Sequence, residues 1–241
     1  MRASFSLLEI VFALMLLGIL ASFGFPKTET TLSRAANSLL EHIAYTRHLA
    51  LNDNLIYTHI DQTHSLKKRF RSIDPTALIQ KNPMWQLQWH FSGKYAHVSY
   101  SIYVDTPRFA PTTHYDGRPM DGDIIAINGG DRRCLSGYNN TSISEACKNN
   151  SSVFVRLSES YGIEHLYIQG DKVCKETRGG RVFFDRFGLP YCSREAIRLT
   201  QPLKIILEKR NQSKTICILP SGYSFLMPKG GDCEAKNSYF M

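Results

Sequence analysis

The sequence lacks the short motifs that mark the commonest catalytic and metal-binding sites. No two of its six cysteines form a Cys-x-x-Cys pair, and the chain has no glycine-rich phosphate loop and no Gly-x-Ser-x-Gly nucleophile elbow. Glycine and proline are scarce, at 16 and 10 of 241 residues, which excludes a collagen-like or low-complexity polymer. We therefore assign no catalytic residue, no metal site, no cofactor and no small-molecule substrate, and we expect a protein that is not an enzyme.

The composition is otherwise that of an ordinary globular protein. Apolar residues make up 43% of the chain and charged residues 21%, so the chain is able to bury a core. The formal net charge is +8, which makes anionic partners worth considering but is too small to identify one. The hydrophobicity, however, is concentrated at the N-terminal end.

The segment from Phe5 to Phe25 is a long apolar run with a single charge, Glu9. About 20 apolar residues are enough to cross a bilayer as a helix, and the run is longer than the apolar core of a secretory signal peptide. A plain signal anchor would explain the length but would give no role to Glu9, although a carboxylate inside a spanning helix is costly. Arg2 is the sole charge before the run, and it favours a cytoplasmic N-terminus with the bulk of the chain in the periplasm.

The residues around the start of this run form a recognisable arrangement. A short basic leader, Met1 to Ser4, is followed by Phe-Ser-Leu-Leu-Glu and then by the rest of the apolar run. This arrangement resembles the class III prepilin signal of type IV pilins and of the pseudopilins of type II secretion systems. The resemblance implies that a prepilin peptidase cuts between Ser4 and Phe5 and N-methylates Phe5, and that Glu9 is the glutamate used in filament assembly. The chain departs from the family at Ser4, where a glycine usually precedes the cut.

After the apolar run the sequence predicts an amphipathic helix. Apolar residues recur at three- and four-residue steps, as at Leu32, Ala36 and Leu39, which is the spacing of a helix with one buried face. We expect one long helix whose transmembrane half is residues 5–25 and whose amphipathic half, the continuation of the stalk, is residues 26–55.

The remaining residues, 56–241, predict a β-rich globular head. Short runs of β-branched and aromatic residues are separated by turn signals. The predicted strands are Trp85–Phe91, Tyr95–Val104, Asp123–Asn128, Val153–Leu157, Ile163–Gln169, Arg181–Asp185, Leu203–Glu208 and Lys214–Leu219. A long helix followed by strands predicts an α+β fold, with the long N-terminal helix packed on a C-terminal antiparallel sheet in the manner of a pilin.

Three later segments add a narrower resemblance. They are Tyr45–Asn52 late in the predicted helix, Phe183–Pro190 with its glycine after a strand, and Ile216–Tyr223 with its glycine in a hairpin. In this order they resemble the alanine- and arginine-containing helix, the strand-then-glycine element and the final hairpin of GspH/FimT-type minor pseudopilins. An arginine usually follows the hairpin glycine in that family, and Tyr223 stands there in this chain.

All six cysteines follow the apolar run, so the prediction places them on the exported side, where disulfides are the expected state. The sequence does not choose among the possible pairings, and pairing of nearest neighbours is the simplest hypothesis. The nearest-neighbour pairs are Cys134–Cys147, Cys174–Cys192 and Cys217–Cys233. Zinc is disfavoured because no two cysteines have close ligand spacing and the histidines are scattered.

Basic residues cluster at two places. The densest run is Lys67, Lys68, Arg69 and Arg71, which is either a solvated surface or a sequence-independent contact with DNA phosphates. A second, looser set consists of Lys204, Lys209, Arg210 and Lys214.

Taken together, these patterns favour a minor pilin or pseudopilin, a structural subunit of a type II secretion or type IV pilus filament. By resemblance its partners are other pilin-like subunits, the prepilin peptidase and an inner-membrane assembly platform. We expect a single-pass protein of the bacterial inner membrane with a periplasmic head. A DNA-binding competence pilin for natural transformation remains the alternative.

Overall fold

A computed structural model gives the architecture of most of the chain. It describes residues 7–23, 30–52, 84–91, 98–105, 117–120, 123–137, 143, 145–170, 174, 176, 179–193, 196–228 and 231–233. The chain divides into two compact units, residues 1–30 and residues 31–241.

The first unit contains helix α1, Leu7–Phe23, which is 17 residues long. Most of its residues are apolar, and Glu9, in the first turn, is its only charged residue. None of the helices in the described ranges has both the length and the apolarity required to cross a membrane.

The second unit begins with a longer helix and continues mainly as strands. Its helices are α2 (Thr31–Asn52), α3 (Glu145–Lys148), a 3-10 helix (Val153–Val155) and α4 (Leu157–Tyr161). The strands of its first sheet are β1 (Trp85–His90), β2 (Ser99–Val104), β3 (Ile124–Ile125), β5 (Gly179–Phe184), β6 (Pro190–Cys192) and β7 (Ile197–Arg198). The strands of its second sheet are β4 (His165–Gln169), β8 (Leu203–Lys209), β9 (Gln212–Ile218) and β10 (Ser224–Leu226).

Both sheets are antiparallel throughout their named strands. The order in the first sheet is β3-β2-β1-β5-β6-β7, and the order in the second is β10-β9-β8-β4. Helix α2 packs against both sheets, because Leu32, Leu39 and Ile43 share one hydrophobic cluster with Leu87 of β1 and Ile216 of β9. The predicted amphipathic spacing of this helix therefore corresponds to a buried face.

The predicted fold class, one long N-terminal helix packed on an antiparallel sheet, is wrong. The described chain is mostly antiparallel β structure in two sheets of six and four strands, and its two longest helices are separate elements of 17 and 22 residues. Hydrophobic periodicity identifies each helical segment by itself and does not test whether two segments are continuous. The prediction joined the two segments without a signal for continuity.

Most predicted strands are present: β1, β2, β3 and β4 are shorter than predicted, whereas β5, β8 and β9 are longer. The strand predicted over Val153–Leu157 is wrong, because Val153–Val155 is a 3-10 helix and α4 begins at Leu157. Strands β6, β7 and β10 were not predicted, and each contains only two or three residues.

Candidate functional site

Helix α1 combines an exposed apolar surface with one carboxylate. Leu7, Phe12 and Leu17 are all exposed, and so is Glu9, the only charged residue of the helix. Exposed apolar surfaces of this kind are typical of sites where lipid or another protein binds. The first turn of α1 therefore places a single carboxylate at one end of an exposed apolar surface.

Several predicted site residues lie outside the described residues. They are Ser4 and Phe5 of the predicted cleavage site, and Lys67, Lys68, Arg69 and Arg71 of the dense basic run. Cleavage and methylation at Phe5, and DNA contact by the basic run, stay predictions.

The six cysteines form three disulfides in the second unit, Cys134–Cys147, Cys174–Cys192 and Cys217–Cys233. This is the nearest-neighbour pairing, and all six residues are buried. The last two bonds each join a strand to a cysteine outside the named strands, at Cys192 of β6 and Cys217 of β9. Three buried disulfides indicate that the protein folds in an oxidising compartment.

Two members of the looser basic set make contacts within the second unit. Lys204 forms an ion pair of 3.0 Å with Asp232. Lys209 donates hydrogen bonds to the Thr31 hydroxyl at 2.6 Å and to the Tyr161 carbonyl at 2.7 Å. Lys209 therefore links the first residue of α2 to the last residue of α4 and has a structural role.

The three segments that resemble minor pseudopilins meet at one side chain, Arg47 of α2. Arg47 Nε donates a hydrogen bond of 3.1 Å to the carbonyl of Gly188, which lies in the turn between β5 and β6. Gly222, in the turn between β9 and β10, has φ +83°, and a Cβ built there would lie 2.0 Å from the Gly188 oxygen and 2.8 Å from Arg47 Nε. Only glycine fits such an approach. We call Arg47, Gly188 and Gly222 the Arg47 junction.

Helix α2 also contacts β2 through a polar pair. His42 Nδ1 lies 2.5 Å from the hydroxyl oxygen of the fully buried Tyr100. Burial lowers the pKa of His42 to about 4, although the charge of Asp131 opposes this shift. His42 is therefore a neutral hydrogen-bonding partner near pH 7.

The first sheet has polar residues on the face opposite the hydrophobic core, and these residues are buried too. Gln88 of β1 lies opposite Ser101 of β2 and Arg181 of β5, so polar side chains of three strands share this face. We call this set the buried polar network. Its members are Gln86, Gln88, His90, Ser101, Tyr103, Ser136, Glu176 and Arg181.

Arg181 is the charged centre of the buried polar network. Its Nε and Nη2 donate to the two carboxylate oxygens of Glu176 at 2.6 and 3.0 Å, and its Nη1 donates to the Gly117 carbonyl at 3.4 Å. Burial disfavours the charged guanidinium, but the hydrogen bond to Glu176 and the nearby charges outweigh it and raise the pKa of Arg181. The Arg181 guanidinium therefore stays charged inside the fold.

A histidine and two serines form the other end of the buried polar network. His90 Nε2 lies 3.0 Å from Ser101 Oγ, which lies 3.2 Å from Ser136 Oγ. Burial, assisted by the charge of Arg181, lowers the pKa of His90 to about 3. A histidine beside a serine can activate a nucleophile, but all three of these side chains are buried. Their role is to hydrogen-bond one another.

Sequence reasoning missed both the Arg47 junction as a contact and the buried polar network. The alternation of tryptophan and leucine with glutamine and histidine in β1 was the available signal, but it predicts a strand with one solvated face.

Within the described ranges, no group of three or more histidine, cysteine or acidic side chains is placed to hold a metal ion. Comparison with known proteins finds no matching family model, no matching curated protein and no matching solved structure. The functional conclusion therefore depends on the residues of this chain.

Proposed function

We propose that this chain is a minor pilin or pseudopilin, a structural subunit of a type II secretion or type IV pilus filament. The observation that carries the proposal is the N-terminal segment, in which Ser4 and Phe5 precede an apolar helix whose only charge is Glu9, in its first turn. The subunit carries out no chemistry of its own. A prepilin peptidase removes residues 1–4 and methylates the amine of Phe5.

The exposed apolar surface of α1 supports an assembly role. Such a surface requires lipid before assembly and neighbouring apolar helices after it, because water is an unfavourable environment for both leucine and phenylalanine. Glu9 lies four residues from Phe5, which is about one helical turn. This spacing in the sequence supports pairing of the Glu9 carboxylate with an N-terminal amine, either its own or that of a neighbouring subunit.

The proposed location is the bacterial inner membrane, with the N-terminus in the cytoplasm and the second unit in the periplasm. Arg2 supports this orientation, because basic residues next to a membrane segment favour the cytoplasmic side. The three disulfides support a periplasmic second unit. The partners are other pilin-like subunits, the prepilin peptidase and the inner-membrane assembly platform.

Replacement of Glu9 tests the proposal, with Glu41, an exposed glutamate of α2, as the matched control. Glu9→Ala should leave membrane insertion intact, since it removes the cost of a carboxylate in apolar surroundings. It should lower co-purification with the other pilin-like subunits about tenfold at matched protein levels, whereas Glu41→Ala should not. Glu9→Gln removes the negative charge but keeps a hydrogen-bonding side chain, so it shows whether assembly depends on the charge. If Glu9→Ala assembled normally, Glu9 would have no role in filament assembly.

A further inference from the structure

Two aromatic side chains reach solvent beside the Arg47 junction. Phe187 and Tyr223 are the immediate chain neighbours of the two junction glycines, and they are 64% and 47% exposed. The two turns are in contact at Gly188 and Gly222. Each aromatic residue is the chain neighbour of one of these glycines, so both lie close to this contact. Leu51 is on the same face of α2 as Arg47, one turn further along, and is 40% exposed. The exposed apolar side chains therefore belong to one region of the surface.

The same region carries guanidinium groups without a carboxylate partner among the described residues. Arg47 uses its Nε for Gly188, and no described acidic residue pairs with its Nη atoms. The guanidinium of Arg186 stacks over the Phe187 ring, 4.8 Å from its centroid. We call Arg47, Leu51, Arg186, Phe187 and Tyr223 the cationic aromatic patch.

The acidic residue next to the patch is engaged within its own turn. Asp185 Oδ1 accepts hydrogen bonds of 2.9 Å from the backbone N–H groups of Phe187 and Leu189. Its Oδ2 accepts a hydrogen bond of 3.1 Å from the Tyr191 hydroxyl. These three donors engage both carboxylate oxygens of Asp185 within its own turn.

We propose that the cationic aromatic patch docks a carboxylate-bearing segment of another subunit of the same filament. Arginine and aromatic residues are the side chains that most often dominate the binding energy of protein interfaces. The planar guanidinium matches a carboxylate through two parallel hydrogen bonds, so the charge of the patch selects an acidic occupant. The proposal rests on the proposed function, which supplies the partner.

The alternative occupant, a nucleic acid strand, fits the patch less well. Stacking on aromatic rings and contact with arginine are also used to bind single strands. Affinity for a phosphate backbone at physiological salt, however, comes from many cationic contacts, about six to ten in strong binders. The patch offers two guanidinium groups, and Leu51 adds apolar surface that suits a protein partner.

Site-specific photocrosslinking in cells that assemble the filament tests this docking. The full chain carries p-benzoylphenylalanine at position 187, or at position 154, where Phe154 is 46% exposed on the 3-10 helix outside the patch. We expect position 187 to crosslink a pilin-like subunit at least about tenfold more than position 154. The crosslinked peptide, mapped by mass spectrometry, should contain an aspartate or glutamate. Arg186→Glu should lower the yield about tenfold, and Arg186→Lys should restore most of it.

Any of three outcomes would overturn the docking proposal. They are equal yields at the two positions, a crosslink to nucleic acid, and a partner peptide without an acidic residue. The same samples report N-terminal processing by intact mass. A processed chain without the crosslink contradicts only the docking, whereas an unprocessed chain contradicts the proposed function itself.

Discussion

The leucines in residues 7–17 of α1 are exposed, whereas the leucines in the core of the second unit are buried. Leu7 of α1 is 82% exposed, whereas Leu39 of α2 and Leu87 of β1 are 0% exposed. The second unit therefore carries its own core, while α1 depends on whatever covers it. Substitutions in the second unit should change the free energy of unfolding without changing N-terminal processing, and substitutions in α1 should change association.

The largest loss of stability in the second unit should come from Gly222→Ala. The added methyl group would lie 2.0 Å from the Gly188 carbonyl oxygen, a backbone atom that cannot rotate away, and φ at Gly222 is +83°. We expect a loss of about 4 kcal/mol, the upper end for a single substitution.

Urea unfolding of the full chain in detergent measures this loss through Trp85 and Trp89, the only two tryptophans, both in β1. Gly129→Ala is the control, because nothing lies within 4 Å of its added methyl group. If the two variants unfold at the same urea concentration, the contact between the two turns is wrong.

Glu176→Ala should have the next largest effect. It leaves the Arg181 guanidinium buried without its carboxylate partner, and breaking a buried pair in this way costs about 3 kcal/mol. The side chains of Arg181 and Glu176 are 6% and 19% exposed, whereas those of the pair Lys204 and Asp232 are 33% and 54% exposed. Asp232→Ala is therefore the matched surface variant, with an expected loss below about 1 kcal/mol. A smaller loss for Glu176→Ala than for Asp232→Ala would contradict a buried charged centre.

The smallest predicted effect is a dependence on pH through His90. Its folded-state pKa of about 3 lies below the unfolded value, so the unfolded chain takes up a proton first as the pH falls. Stability from this group is complete above about pH 6.5 and declines by up to about 1.4 kcal/mol per pH unit below it, until the folded pKa is reached.

His90→Gln should therefore lose less stability than the unaltered chain between pH 7.5 and pH 5.5, by about 1.4 kcal/mol. The measurement is the urea midpoint at the two pH values. The exposed His165 provides the control variant His165→Gln. A pH dependence that His90→Gln leaves unchanged would rule out a contribution from this histidine.

Hydrophobic spacing and β-branched runs predicted the helix and strands whose formation depends mainly on residues close in sequence. The spacing of Leu32 and Leu39 predicted the buried face of α2, and strands β8 and β9 stand where β-branched runs placed them. The run Val153–Leu157 has the same residue types but forms a 3-10 helix and the start of α4. Strand propensity depends on the partners that a segment finds, and this run finds a single antiparallel bridge, Arg156 with Ser99, rather than a full strand partner.

Contacts between distant residues were beyond sequence reasoning. Arg47 and Gly188 are 141 residues apart, so neither segment by itself indicates the other. In β1 the glutamines predicted a solvated face, yet Gln86 and Gln88 are buried because hydrogen-bonding partners from β2 and β5 lie beside them. Whether a polar face meets water or other polar groups depends on the tertiary fold.

The intact mass of the full chain extracted from cells with an active prepilin peptidase tests the proposed function most directly. The proposal predicts a chain that has lost Met1 to Ser4 and carries one added methyl group on Phe5. Mass analysis of the N-terminal peptide locates the methyl group, and cells without the peptidase provide the control. A chain that still begins at Met1 in the presence of the peptidase would contradict the proposal that this protein is a pilin-like subunit.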